Sequence, residues 1–223
     1  YRLERPFVLQ PEDGGTQECP VTYCAYEGEE AVISGGRQIT GWKQAEGGLW
    51  VAEVPEVRAG EWTFRQLFVN GQRRQRTRVP ERGLLPVAGG ASPEAQAFCY
   101  RPGDIQPSWA HLSDVEVVVV QYWTEARLRI AAIEDAAHVV SFTGGSWRPL
   151  TWSRGYYVEN VREALGASGR WYLDREAGVL SYMPLPGEDM GTAEVIAPVA
   201  EQLVRLEGNA EGNRPVQYVS FEG

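Results

Sequence analysis

Four arginines, Arg73, Arg74, Arg76 and Arg78, crowd into one short stretch of the chain. A guanidinium is planar and permanently charged, and its fork of donors matches a carboxylate or neighbouring sugar hydroxyls. Side chains alternate along an extended backbone, so Arg74, Arg76 and Arg78 would share one face of a strand. Such a row must face water, pair with carboxylates or line a site. Arg76 and Arg78 are therefore candidate substrate contacts, suited to a sugar hydroxyl or a uronate carboxylate. Trp109 and His111, in the loop Pro107-Ser108-Trp109-Ala110-His111, form a second candidate pair that could line a groove. An indole offers a flat face to a sugar ring.

Other chemistries find less support. Glycoside hydrolysis needs two carboxyl groups flanking one bond, and these come from different strands, so spacing along the sequence does not reveal them. Asp104, Asp114, Glu125, Glu134 and Asp135 fall near turns or strand ends and read as solvated charges, as does Glu188-Asp189 after Pro186-Gly187. No residue is assigned a catalytic role. His111 and His138 are the only histidines, too far apart for a local metal motif, and His138 reads as a hydrogen-bonded structural residue. Cys19, Cys24 and Cys99 cannot all pair within the chain and form no CxxC; Cys19 and Cys24 could bridge across a bend, and free, buried thiols are the default. Neither a metal nor a cofactor is expected. The chain has no G-x-S-x-G elbow, no G-x-G-x-x-G and no P-loop pattern.

Composition narrows the partners. A net charge of −9 over 223 residues argues against nucleic acid, whose phosphates select a basic face. Lys43 is the only lysine, so arginine carries nearly all the positive charge. Eight tryptophans is a heavy load, and any that are exposed would serve as stacking platforms. No apolar run approaches the roughly twenty residues of a membrane helix. The chain opens at Tyr1 without a methionine or a leader, which reads as a mature form or a piece of a longer protein.

The elements that would hold these residues are strands. Residues 64–69 form an apolar run that stops at Asn70-Gly71, a strong hairpin signal, and the return strand carries the arginines. Short strands punctuated by glycine occupy residues 21–26, 31–34, 38–42 and 49–54, and the same grammar returns at 193–198, 202–208 and 216–223. Val32-Ile33-Ser34-Gly35, Val204-Arg205-Leu206-Glu207-Gly208 and Val219-Ser220-Phe221-Glu222-Gly223 share one shape, as stacked coils of a parallel β-helix would. An antiparallel sandwich would give similar spacing. The middle differs. Residues 92–98 read as a short helix with a serine cap and proline in its first turn, and 159–165 as an amphipathic helical segment closed by Gly166. Residues 114–123, 126–133 and 139–143 read as strands, with Leu128 and Ile130 alternating against Arg127 and Arg129, and 171–183 as a hairpin. The predicted architecture is all-β: first β-helix coils over 1–61, an inserted antiparallel domain over 62–191 and returning coils over 192–223.

Several of these segments carry a family resemblance. They are Val32-Ile33-Ser34-Gly35-Gly36, Ile39-Thr40-Gly41-Trp42, residues 65–71 with the arginines through Pro80, and Trp171-Tyr172-Leu173-Asp174 with residues 178–184. Together they resemble bacterial right-handed β-helix proteins of the pectin-lyase-like type, most closely glycoside hydrolase family 141. The resemblance implies a secreted enzyme, extracellular or periplasmic, acting on fucose-containing pectic chains or xylan. It implies a solenoid interrupted by a β-rich insertion, with catalytic carboxylates on later coils. No residue here matches those carboxylates. The implied role is a non-catalytic N-terminal portion that caps the solenoid and shapes the groove, with polysaccharide and the later coils as partners. The alternatives are a stand-alone carbohydrate-binding or structural β-helix module and a polysaccharide lyase fragment, although no calcium-loop spacing supports the lyase.

Overall fold

The computed structural model describes residues 1–223, and its one α-helix is the single turn Pro55–Arg58. The chain is all-β, as its alternation predicts. It divides into two units, Tyr1–Gln38 with Ile196–Gly223, and Ile39–Val195.

In the first unit, strands from the two ends of the chain pair in parallel. Phe7–Leu9 lies beside Val204–Leu206, and Val21–Cys24 beside Val219–Glu222. The second pair is tied by a 2.8 Å hydrogen bond between the Thr22 and Ser220 hydroxyls. Tyr23 stacks on Phe221 at 5.2 Å, and Phe7 meets Tyr23 edge-on at 5.3 Å. Gly36–Gln38 pairs antiparallel with Val195–Pro198. The pairings are thus mixed, and the parallel ones are three and four residues long rather than a continuous parallel solenoid. Cys19 and Cys24 are unpaired, and they are exposed rather than buried.

The second unit holds a seven-stranded antiparallel sheet. Its order is Arg78–Val79, Gly155–Glu159, Glu116–Val120, Glu125–Glu134, Val139–Phe142, Ala97–Cys99 and Gly89–Gly90. Period-two alternation sorts its side chains. Val117, Val119, Leu128, Ile130, Tyr156 and Val158 join Phe98, Val140 and Phe142 in the buried core. Glu116, Arg127, Arg129, Tyr157 and Glu159, at the alternate positions, form a charged opposite face. In the same unit a mixed sheet runs Leu67–Val69, Gln72–Arg76, Arg170–Asp174, Val179–Tyr182, Trp50–Glu53 and Lys43–Gln44. Its hairpin at Asn70-Gly71 is the expected one: both residues have positive φ, 51° and 72°, as a type I′ loop requires. Phe64 and Trp171 pack at 5.7 Å beside it.

Neither of the two segments predicted as helical in the middle of the chain forms an α-helix, although 159–165 keeps a 3-10 turn at Arg162–Ala164. At residues 92–98 the backbone of Glu94, Ala95 and Gln96 bonds to Leu150, Ser146 and Phe142, so cross-chain pairing replaces an internal ladder. A helix this short cannot offset its nucleation cost without a packed face. At residues 159–165, Glu159 ends a strand and Asn160 turns left-handed at φ 60°, leaving only the turn Arg162–Ala164. No helix is long and apolar enough to cross a membrane.

Candidate functional site

The charged face of the seven-stranded sheet begins from an unfavourable pairing. Glu116 and Glu159 stand directly opposite one another on adjacent strands, and like charges in that position repel. Guanidinium groups resolve the repulsion. Arg65 grips Glu116 with a fork, Nε at 3.0 Å from both oxygens and Nη2 at 2.8 Å from Oε1. Arg76 donates from Nη1 to Glu116 Oε2 at 2.6 Å and from Nε to Asn160 Oδ1 at 3.2 Å. Arg127 holds Glu159 at 2.7 Å. Burial alone would push the Glu116 carboxyl up, but Arg65 and Arg76 outweigh it and hold the group at about 2. The network joins the two sheets of this unit, because Arg76 comes from the mixed sheet and Glu116 and Glu159 from the antiparallel one.

Above the network lies an open pocket of about 210 Å³, lined by Arg65, Arg73, Arg74, Gln75, Arg76 and Glu159. Arg74 is committed inward, with Nη2 at 2.8 Å from Glu188 and Nε donating to the Tyr182 hydroxyl at 2.9 Å. Arg76 is buried. The cations that face solvent here are Arg73 and the half-exposed Arg65. Two such groups can hold an anion or neighbouring hydroxyls. The pocket's carboxylate, Glu159, is bound to Arg127 and lies 4.0 Å from Arg76. It serves charge balance. The Glu116–Glu159 pair cannot straddle a glycosidic bond, because their side chains are only 5% and 15% exposed and packed among arginines.

The four residues singled out from sequence do not converge. Arg76 lines the floor of the pocket, buried and bonded to Glu116 and Asn160. Arg78 lies 4.0 Å over the Tyr157 ring and donates to the Gly83 carbonyl, outside the pocket lining. Trp109 is 6% exposed, within the hydrophobic core, so no indole face is free for a sugar. Its position before His111 signals packing, not stacking. His111 approaches Asp174 at 3.4 Å and Glu176 at 3.1 Å, which clips its loop to the turn of the 171–183 hairpin. Asp114 and Arg175 reinforce that clip at 2.5 Å. His138 takes a left-handed φ of 52° and meets the Tyr100 ring at 5.7 Å.

Sequence reading missed Arg65, Glu116, Glu159 and Asn160. One signal could have found Glu116: it is the lone acid in the apolar run Val115-Glu116-Val117-Val118-Val119-Val120. A charge at a strand position that must be buried demands a partner.

Residues 47–144 match the family model of the GH141 insertion domain. The match covers Glu116 and Arg65, while Glu159 and Asn160 lie beyond it. The chain is also similar to a solved structure described as a glycoside hydrolase, at 31% identity and a TM-score of 0.80. That similarity covers 99% of this chain and 40% of the other, so this chain spans two fifths of that protein's length. No curated protein matches the chain.

Proposed function

We propose that the chain is the N-terminal, non-catalytic portion of a carbohydrate-active β-helix enzyme, a glycoside hydrolase acting on plant or bacterial polysaccharide outside the cytoplasm. The observation that carries this reading is the similarity to a glycoside hydrolase over 99% of this chain but 40% of that one. The first unit would be coils of a right-handed parallel β-helix, which its two parallel strand pairs support. Leu206 and Phe221 on those strands are 62% and 47% exposed, and later coils of the same enzyme would cover them. The inserted domain, with its arginine pocket, would border the substrate groove. Arg65 and Arg73 would meet sugar hydroxyls or a uronate, with Arg65 held in place from behind by Glu116.

Incubated with xylan or homogalacturonan, the 223-residue chain is expected to release no reducing ends above a heat-denatured control. A steady rise that depends on protein concentration would overturn the non-catalytic reading, and would direct the search for a carboxylate pair back into this chain.

A further inference from the structure

One face of the second unit carries aromatic side chains that the core does not use. Tyr122, Trp123 and Trp147 are 56%, 77% and 62% exposed. They come from two connections, the turn after Glu116–Val120 and the loop that follows Val139–Phe142. Both Tyr122 and Trp123 approach the half-buried Trp152 at 5.1 Å, tilted by 48° and 60°. Arg148 lies across the group, its guanidinium 4.5 Å from the Trp147 ring and 5.5 Å from Trp152. The Trp147 indole N–H points to the Thr124 hydroxyl at 3.4 Å, which ties the two connections together.

We propose that Tyr122, Trp123, Trp147, Arg148 and Trp152 form a binding site for acidic, uronic-acid-containing oligosaccharides, separate from the arginine pocket. Exposed indoles are costly in water and supply flat faces against which the C–H side of a pyranose ring can pack. The tilts between the rings make an angled cradle rather than a flat wall. A guanidinium that stacks on indoles keeps its edge donors free, and those N–H groups can donate bidentately to a carboxylate. Charge favours the same ligand. Residues 138–158 contain Arg148 and Arg154 but no aspartate or glutamate, in a chain whose net charge is −9. Glu125, the acid at the neighbouring strand start, is held by Arg127 at 2.8 Å. Glu94 is an exposed acid on the segment that pairs with this loop, its carbonyl accepting the Leu150 N–H, so the cation offered to an anionic sugar within the aromatic group is Arg148. The inference does not depend on the proposed enzyme reading, since a binding site here needs no catalytic coil.

The test is titration of the 223-residue chain with trigalacturonate and, separately, with xylotriose, followed by calorimetry and tryptophan fluorescence. Trigalacturonate is expected to bind at least tenfold more tightly, and to shield the exposed indoles of the unsubstituted chain from acrylamide quenching. Trp147→Ala should weaken that binding about tenfold or more, and Trp147→Phe less. Arg148→Gln should lower affinity for the acidic trimer about tenfold and leave xylotriose binding unchanged. Unfolding midpoints of the variants show whether each keeps its fold, and the quenching readout needs no variant. Equal affinity for the two trimers, no detectable binding of trigalacturonate, or binding lost in Arg73→Gln but kept in Trp147→Ala would each overturn the proposal.

Discussion

Glu116→Ala is expected to destabilise the protein by about 3–5 kcal/mol, read as a fall in the urea midpoint at unchanged slope. The magnitude is that of breaking a buried ion pair from one side, which strands the other charge. The Arg76 side chain is 4% exposed. Without Glu116 it retains Asn160 at 3.2 Å, the distant Glu159 at 4.0 Å and the Trp171 ring, 5.5 Å from its guanidinium, but no close carboxylate. Arg65, half exposed, can turn to water and contributes little to the loss. Replacing both buried partners, Arg76→Met with Glu116→Leu, should recover much of the stability, because neither charge is then left in the interior. A loss below about 1 kcal/mol for Glu116→Ala would show that water reaches Arg76, and would remove the network as the link between the sheets.

The same carboxylate sets an acid limb. Its value in the folded chain, about 2, lies below the usual 4.5, so the unfolded chain takes up the proton first as pH falls. Glu116 therefore contributes its full stabilisation above about pH 4.5 and loses it progressively down to about pH 2. The shift corresponds to about 3–4 kcal/mol at roughly 1.4 kcal/mol per unit. Glu188 acts in the same direction: burial raises it, but Arg74 and Tyr182 outweigh this and hold it low. Denaturant titrations between pH 5 and 2 should show a shallower decline in Glu116→Gln than in the unsubstituted chain. Parallel curves would mean that Glu116 takes no part in acid unfolding.

Local chemistry was readable wherever one short segment sets its own geometry. Asn70-Gly71 fixes its hairpin because few residue pairs tolerate two successive left-handed conformations, and Arg127 to Ile130 announces its two faces by strict alternation. Arg76 shows the limit. Its row of arginines is visible in the sequence, but whether a guanidinium meets solvent or a carboxylate depends on a strand some forty residues away. Trp109 failed for the related reason that burial is a property of the assembled core, not of the loop containing it. The helical reading of residues 159–165 failed at a single residue.

That residue is Asn160, and Asn160→Ala is expected to cost about 3–5 kcal/mol, on the same denaturant scale. Asn160 is fully buried and takes φ 60° at the end of strand Gly155–Glu159. Its amide imitates a further rung of sheet. Nδ2 donates to the Leu173 carbonyl at 2.8 Å, and Oδ1 accepts the Leu173 N–H at 3.0 Å. Nδ2 also reaches the Asp114 carbonyl at 3.2 Å, and Oδ1 accepts from Arg76 Nε. Alanine strands the Leu173 N–H and carbonyl, while Arg76 keeps Glu116, and each buried orphan costs about 1–3 kcal/mol. It adds about 1–2 kcal/mol for a left-handed backbone that a Cβ disfavours, a penalty asparagine partly escapes. Asn160→Gly removes the backbone penalty and keeps the orphans, so it should be the milder of the two by about 1 kcal/mol. If glycine restored full stability, conformation rather than hydrogen bonding would be the role of this residue. Asn160 and Glu116 share Arg76, so the loss in the double alanine variant should fall short of the sum of the single losses. Once either partner is gone, Arg76 is already displaced from the position that the second substitution would disturb.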